Sequence, residues 1–250
     1  MRTVDLNCDM GEGCPNDAEL MRYVSSANIA CGYHAGDLDT MRRTVELAIE
    51  NGASIGAHPG YRDRENFGRT TMNLSRDEVI QLVTEQLVAL QSVCESLGTR
   101  VRHVKPHGAL YNQAANDGSL SRAIADAVVK FDPNLVFYGL SGSLMISEAE
   151  AAGLKTSSEV FADRTYTSDG KLTPRSQAGA LITDANKSIS HVLEMIEKQT
   201  VRTISGEAIP MRAETICIHG DGETAVNLAK AIRASIEQHS IVIRPPASPI

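Results

Sequence analysis

The fold is decided by three consecutive stretches of the sequence: ASIGAHPG at 53–60, SRDEVIQLVTEQLVALQSVCESLG at 75–98 and RHVKPHG at 102–108. The first and third are short and largely apolar, which is typical of buried strands. The middle stretch begins with a capping box from Ser75 to Glu78, continues with apolar residues at helical spacing and ends at Gly98. Because a helix returns the chain to the same end of a sheet, the order strand, helix, strand predicts two parallel strands.

The same alternation continues in both directions along the chain. Further strands are predicted at 3–7, 27–31, 135–140, 156–161 and 215–219, and further helices at 37–51, 120–129, 143–151, 184–198 and 223–237. About seven parallel strands favour an α/β fold of the (β/α)-barrel type, with an open doubly wound sheet as the alternative. No linker or internal repeat divides the sequence. We therefore expect residues 1–250 to form a single (β/α)-barrel domain.

Three connections, at 59–74, 162–181 and 199–213, are longer than a strand–helix link requires. Long connections in a compact domain are often functional. The last of them contains VRTISGEAIPM, which predicts a hairpin that turns at Ser205-Gly206. The second contains Arg164, Lys171 and Arg175, and we expect its residues 162–175 to close over the mouth of the barrel when a ligand binds.

The composition excludes several classes of partner. The chain has 24 Lys and Arg against 31 Asp and Glu, a net charge of −7, whereas nucleic-acid binding requires concentrated basic residues. No apolar stretch has the length of a membrane span or a signal-peptide core. Its five cysteines are an odd set without a CxxC pair, as is usual in a reducing compartment. We expect a cytoplasmic protein with neither a nucleic-acid nor a membrane partner.

Polar and titratable residues lie at the ends of most predicted strands. In chain order they are Asn7, Asp9, Glu12, His34, His58, Lys105, His107, Glu159, Asp163, Arg164, His219 and Asp221. Because the carboxyl ends of parallel strands meet at one face, we expect these side chains to form one site. Asp221 could instead cap the last helix. His103 is interpreted as structural, and His191 and His239 lie on predicted helices and are expected to face solvent.

The motifs that the chain lacks narrow the chemistry. It has no GxxxxGK[ST] or GxGxxG loop for ATP or a dinucleotide, and neither a GxSxG nor an HExxH motif. Acid–base chemistry or metal-assisted hydrolysis by an Asp/His/His set remains. Lys105 and His107 are expected to be accessible at the mouth, so that replacing either by alanine would change stability by only about 0.5 kcal/mol.

The chain resembles the LamB/YcsF family in segments that are specific in combination and follow one another over nearly its whole length. They are DLNCDMGE (5–12), ANIACGYHAGD (27–37), IGAHPGYRD (55–63), FGR (67–69), VKPHGALYN (104–112), EVFADRTYTSDGKLTPR (159–175) and ICIHGD (216–221). The resemblance implies a barrel related to the glycoside hydrolase and deacetylase barrels. It also implies that the ring of 5-oxo-L-proline is hydrolysed to L-glutamate, coupled to the hydrolysis of ATP, in a complex with two partner subunits, B and C.

The resemblance suggests roles for the strand-end residues without fixing them. We expect catalysis from Asp9, His34, His58, Lys105 and His107, with the carboxylate and a histidine exchanging protons with water and the leaving nitrogen. Substrate binding is expected from Asn7, Glu12, Glu159, Arg164, Arg175 and His219. The cations Lys105, Arg164 or Arg175 would offset negative charge on the substrate or on a phosphorylated intermediate. ATP would bind through the assembled complex.

Two other functions remain open at this stage. The first is an ATP-independent deacetylase or amidohydrolase, in which Asp9, His34 and His58 hold a divalent metal ion. The second is a non-catalytic subunit that binds the lactam for its partners. Metal content would favour the first, and loss of activity with retained ligand binding in strand-end variants would exclude the second.

Overall fold

A closed parallel barrel forms the centre of the computed structural model, which describes residues 2–220 and 224–246. The strands are β1 (Thr3–Met10), β2 (Ser26–Ala30), β3 (Ser54–His58), β4 (His103–Val104), β5 (Val136–Leu140), β6 (Lys155–Phe161), β7 (Thr200–Arg202), β8 (Ala208–Pro210), β9 (Thr215–Cys217) and β10 (Val242–Ile243). Among the described residues, seven parallel strands, β1 to β6 and β9, form the barrel, and pairing of β9 with β1 closes it. The predicted fold class is confirmed.

Strand β1 shows how the sequence divides the inside of the barrel from the outside. Successive side chains of a strand point to opposite faces. Leu6 and Cys8 are buried in the apolar core. Asp5, which precedes Leu6, faces the interior, where its carboxylate accepts hydrogen bonds of 2.7 Å from Ser26 Oγ and 2.6 Å from Thr215 Oγ1. Period-two alternation of apolar and polar residues therefore gives this barrel an apolar outer layer and a polar interior.

Helices cover the outside of the barrel. They are α1 (Asp17–Leu20), α2 (Leu38–Asn51), α3 (Arg76–Ser96), α4 (Gly108–Ala114), α5 (Gly118–Phe131), α6 (Leu144–Ala151), α7 (Ala185–Lys198) and α8 (Ala225–Gln238). The capping box of α3 is confirmed, because the side chains of Ser75 and Glu78 each accept a hydrogen bond from the other's backbone N–H. The short helices α1 and α4 were not expected from the sequence. The predicted cap at Asp221 lies outside the described residues.

The long connections add structure beyond the barrel. Strands β7 and β8 pair antiparallel through Val201 and Ile209, which confirms the hairpin around Gly206.

Strand β10 pairs in parallel with the start of β1, where Thr3 faces Val242. Within the described part of the chain, no helix is long and apolar enough to cross a membrane.

Candidate active site

The carboxyl ends of the barrel strands open into a cavity of about 460 Å³, a volume typical of small-molecule sites. Most of the predicted site residues line it, namely Asp9, Glu12, His58, Lys105, His107, Arg164, Arg175 and His219. Asn7, His34 and Glu159 are buried outside this lining. We call Asp9, Glu12, His58, Lys105 and His107 the floor cluster, because their mutual contacts form the innermost wall of the cavity.

Lys105 neutralises two carboxylates in the floor of the cavity. Its Nζ lies 2.9 Å from Asp9 Oδ1 and 2.8 Å from Glu159 Oε1. Burial disfavours the charged ammonium, but Asp9 and its other neighbours outweigh burial and raise the pKa of Lys105 well above its usual value. The expectation that Lys105 and His107 are accessible is wrong, because they are only 2% and 6% exposed. Removing either would disturb a packed polar network.

Asp9 connects Lys105 to the histidines. Its Oδ1 accepts hydrogen bonds from Lys105 Nζ and, at 2.8 Å, from Asn28 Nδ2. Its Oδ2 lies 3.3 Å from His58 Nε2. Burial opposes ionisation of Asp9, but the charges of His58 and Lys105 outweigh it and hold the pKa of Asp9 well below its usual value. Burial likewise opposes protonation of His58, yet the carboxylate of Asp9 raises the pKa of that imidazole.

His58 and His107 are each oriented by a backbone carbonyl. His58 Nδ1 lies 2.7 Å from the carbonyl oxygen of Lys105, and His107 Nε2 lies 2.9 Å from that of Phe67. Since a carbonyl only accepts, both ring nitrogens donate N–H in these hydrogen bonds. The remaining nitrogens, His58 Nε2 and His107 Nδ1, face each other at 2.9 Å. Phe67 has a φ of 57°, a left-handed conformation that costs a non-glycine residue about 1–2 kcal/mol.

Glu12 contacts this histidine pair, and His34 contacts both Glu12 and His107. Glu12 Oε1 lies 3.1 Å from His107 Nδ1 and 3.0 Å from His34 Nε2. Burial opposes its ionisation, but the contacts with His107 and His34 lower the pKa of Glu12 to about 2. The ring of His34 stacks on that of His107 with a centroid distance of 3.7 Å and an interplanar angle of 6°. Burial lowers the pKa of His34 to about 4.

Two glycines make room for the stacked histidines. A Cβ atom on Gly60 would lie 2.8 Å from His34 Nδ1, and one on Gly68 would lie 2.8 Å from His34 Cβ and 2.9 Å from His107 Cδ2. Gly68 also has a φ of 65°, which disfavours any side chain. The segments IGAHPGYRD and FGR thus contribute space as well as side chains to the site.

Asn7 and Glu159 form a buried layer that supports Lys105. Asn7 Nδ2 donates to Glu159 Oε1 at 3.0 Å, and Asn7 Oδ1 accepts from Asn28 Nδ2 at 2.7 Å. Glu159 Oε2 accepts from the hydroxyl of Tyr111 at 2.7 Å. Both side chains are fully buried and lie outside the cavity lining, so they contact the floor cluster and not the cavity itself.

A second wall of the cavity comes from the loop that follows β6. We call residues 162–181 the covering segment. It is held by isolated β-bridges between Arg164 and Leu181 and between Tyr166 and Leu172. Arg164 Nη2 donates to the carbonyl of Thr173 at 2.6 Å, while its buried Nε has no hydrogen-bond partner among the described residues.

Cations from the covering segment line the cavity together with the floor cluster. Lys171 and Arg175 line the cavity and are exposed. Burial lowers the pKa of Arg164, and the neighbouring charge of Arg175 lowers it further. His219, at the end of β9, lies with Nδ1 2.8 Å from the carboxylate of Asp163. Two adjacent guanidinium groups facing a cavity form a suitable environment for an anionic ligand group.

Sequence reasoning missed several contributors and misplaced one histidine. Tyr111 and Asn112 line the cavity, and the carbonyl of Phe67 orients His107. All three lie in the segments VKPHGALYN and FGR, where the resemblance could have indicated them. His191 does not face solvent as expected, because its Nε2 is buried and its ring lies 5.9 Å from that of Tyr166 in the covering segment.

A parallel (β/α) barrel with an acid–base cluster and a small-molecule cavity at the carboxyl ends of its strands has the layout of a barrel enzyme. Within that class the chain belongs to the LamB/YcsF family, which it matches over residues 4–250. It is 50% identical over 249 residues to the A subunit of 5-oxoprolinase from Shouchella clausii, with 98% of each chain covered.

Solved structures agree with this assignment. The lactam utilization protein of Thermus thermophilus superposes with a TM-score of 0.91 at 40% identity, covering 97% of this chain and 99% of that one. The T48 deacetylase superposes with a TM-score of 0.55 at 12% identity, covering 97% and 87%. That likeness concerns the fold alone and relates this barrel to the deacetylase barrels.

Proposed function

We propose that this chain is the A subunit of an ATP-dependent 5-oxoprolinase, which opens the lactam of 5-oxo-L-proline to L-glutamate. The observation that carries the proposal is one cavity with a floor cluster suited to proton transfer and arginines suited to a carboxylate. The substrate has both matching groups, an amide and a carboxylate. The names of two relatives, a lactam utilization protein and a component of 5-oxoprolinase, support the same substrate class.

The distribution of charge gives the substrate one orientation. Arg164 and Arg175 lie on the covering segment, whereas Asp9 and Glu12 lie in the floor. A carboxylate placed beside Asp9 or Glu12 would be repelled, and beside the two guanidinium groups it would be stabilised. The lactam carboxylate therefore points to the covering segment, and the amide lies over the floor cluster.

The reaction needs more than the floor cluster, because a five-membered lactam is a stable amide. Transfer of a phosphoryl group from ATP to the amide oxygen makes the ring carbon a better electrophile. Water then adds to that carbon, the C–N bond breaks as the nitrogen gains a proton, and hydrolysis of the acyl phosphate releases glutamate and phosphate.

The floor cluster supplies the groups for the proton transfers. His58, His107 and Glu12 line the cavity, and each offers a side-chain nitrogen or oxygen within 4.8 Å of the others. The carboxylate, or an imidazole nitrogen with a free lone pair, can accept a proton from an attacking water, which is the role of a general base. Asp9 and Lys105 fix the position of His58 through the contacts described above. His34, Asn7 and Glu159 act as positioning residues.

ATP binding and the finer assembly are also part of the proposal. The sequence has none of the phosphate loops noted above, so we assign nucleotide binding to the assembled complex with subunits B and C. We place the complex in the cytoplasm, in keeping with the free thiols of Cys8, Cys31, Cys94 and Cys217.

The proposal is tested by following glutamate and phosphate together, with ATP and 5-oxo-L-proline, for this chain alone and with the partner subunits. We expect coupled release of both products only with the partners. Full coupled turnover by the isolated chain would contradict the dependence on partners. Glutamate without phosphate would indicate the ATP-independent amidohydrolase instead.

A further inference from the structure

The tautomers of two histidines leave three electron-pair donors facing one another. The Nδ1–H of His58 and the Nε2–H of His107 are committed to backbone carbonyls at 2.7 and 2.9 Å. His58 Nε2 and His107 Nδ1 therefore present lone pairs when the rings are neutral. Glu12 Oε1 completes the group at 3.1 Å from His107 Nδ1 and 3.7 Å from His58 Nε2. Acceptors that face one another in a buried site repel unless a positive charge lies between them.

The spacing of these three atoms matches the spacing of ligands around a metal ion. Nitrogen and oxygen ligands lie about 2.0–2.2 Å from Zn²⁺, which separates neighbouring donors by about 3.0 Å at right angles and about 3.4 Å in a tetrahedron. The three observed separations are 2.9, 3.1 and 3.7 Å. The rings of His58 and His107 meet at 85°, so their in-plane lone pairs are not confined to parallel planes.

The fourth candidate donor, His34, is arranged differently. Its ring is parallel to that of His107 and stacked on it, so the in-plane lone pairs of the two rings run side by side and cannot meet at one ion. His34 Nε2 instead lies 3.0 Å from Glu12 Oε1, where it can donate a hydrogen bond that orients the carboxylate. Glu12, His58 and His107 line the cavity, and His34 does not.

We propose that Glu12 Oε1, His58 Nε2 and His107 Nδ1 form a three-ligand site for a first-row divalent cation such as Zn²⁺ or Mn²⁺, open towards the cavity. Two imidazoles and one carboxylate with open positions are a common ligand set for such ions. Asp9 Oδ2 lies 3.3 Å from His58 Nε2. This set replaces the Asp9, His34 and His58 set considered from the sequence.

With a divalent cation bound, these three atoms would be its ligands instead of the general base, and the cation would polarise a carbonyl oxygen and lower the pKa of water in the cavity. The metal site deepens the proposed function, since it lies in the same cavity, but its occupancy needs neither ATP nor oxoproline. It would serve any amide substrate. The competing explanation is that a proton occupies the space between the two histidines, with Asp9 and Glu12 as its counter-charges.

The test is metal binding by the isolated chain. After dialysis against a chelator, Co²⁺ is titrated while its visible absorption is recorded, and Zn²⁺ is then added as competitor. We expect one Co²⁺ per chain, with the absorption of nitrogen and oxygen ligation and full displacement by Zn²⁺. A folded chain that binds neither ion stoichiometrically would overturn the inference in favour of the shared proton.

Variants separate the ligands from their neighbours. Glu12→Gln and His107→Gln should lose the stoichiometric site. His34→Asn should keep it with affinity reduced about 10–100-fold, as is typical of residues that orient a ligand. His239→Asn, on the exposed surface, should not change it. Circular dichroism checks that each variant is folded, and for any unfolded one the test is repeated with His58→Gln. Undiminished binding in the folded Glu12 and His107 variants would overturn the proposed ligands.

Discussion

The floor cluster and the covering segment are two walls of one cavity, yet they are built in different ways. The floor cluster comes from the ends of strands β1, β3 and β4 and the residues directly after them, and its side chains bind one another. The covering segment is a loop whose cations line the cavity. Many of its hydrogen bonds are to backbone groups of the same segment, such as the one from Arg164 to the carbonyl of Thr173. We infer that the floor is fixed before ligand binds, whereas the covering segment responds to the ligand.

The largest expected effect is on catalysis by the floor. Glu12→Gln and His107→Gln keep the size of each side chain but remove its charge or its lone pair. We expect kcat of the reconstituted complex to fall roughly 10²–10⁴-fold, as is typical when a general base is lost. The KM for 5-oxo-L-proline should change little. A raised KM with normal kcat would move these residues to substrate binding.

The next effect concerns the stability of the floor. Lys105→Met leaves the buried carboxylates of Asp9 and Glu159 without their cation, which we expect to lower the free energy of unfolding by about 3–5 kcal/mol. Urea unfolding measures the change. Lys155→Met, at an exposed site on β6, is the matched control and should stay within about 0.5 kcal/mol. Adding Glu159→Gln to Lys105→Met should recover part of the loss, and no recovery would contradict the pairing.

The buried histidines should make the barrel sensitive to acid. Burial lowers the pKa of His34 to about 4, whereas an unfolded histidine titrates near 6.5. Between these values the unfolded chain binds more protons, so stability should fall as the pH falls, by on the order of 3 kcal/mol. Unfolding curves from pH 6.5 to 4.5 measure the change, and comparing variants over the same range separates it from the carboxylates, which titrate near 4 in the unfolded chain. His34→Asn should flatten the dependence and His239→Asn should not; equal slopes in both would contradict it.

A smaller effect is expected on the opposite wall. Arg175 is exposed, so Arg175→Ala should leave stability within about 0.5 kcal/mol. Loss of a charged hydrogen bond to the substrate carboxylate should raise the KM for 5-oxo-L-proline about 10–100-fold, since such bonds contribute about 1.5–3 kcal/mol. Arg202→Ala, on β7, is the control. An unchanged KM would place the carboxylate elsewhere.

The smallest expected effect is on the motion of the covering segment. We expect ligand to slow hydrogen exchange of the amides of residues 162–175 by about tenfold, because closing over the ligand removes local opening. The amides of β1 should exchange equally slowly with and without ligand. Equal exchange of residues 162–175 in both states would contradict a segment that closes.

The sequence predicted those features that depend on local pattern. The short, largely apolar stretches and the capping box at Ser75 identify strands and a helix without any tertiary information. The carboxyl ends of parallel strands must share one face, so the meeting of Asp9, His58 and His107 also followed. The sequence did not show how deep in the barrel each of these side chains would lie. Asn7 points inward like Asp9 but lies one layer deeper, and only the register between strands shows that it supports the site from below.

Features made by contacts distant in sequence could not be predicted. The stacking of His34 on His107 depends on space left by Gly60 and Gly68, and nothing in a single strand–helix unit shows that space. His191 was expected to face solvent because it lies on a helix, but the covering segment packs over it through Tyr166.

The central claim is that one cavity holds the lactam with its amide at the floor cluster and its carboxylate at the covering segment. A crystal structure of this chain with 5-oxo-L-proline tests it most directly. The account predicts that the lactam carbonyl carbon lies beside Glu12 and His107, within about 3.5 Å of a water that these side chains contact. The carboxylate should be bound by Arg164 and Arg175. A reversed orientation, or a ligand bound outside the cavity, would contradict it.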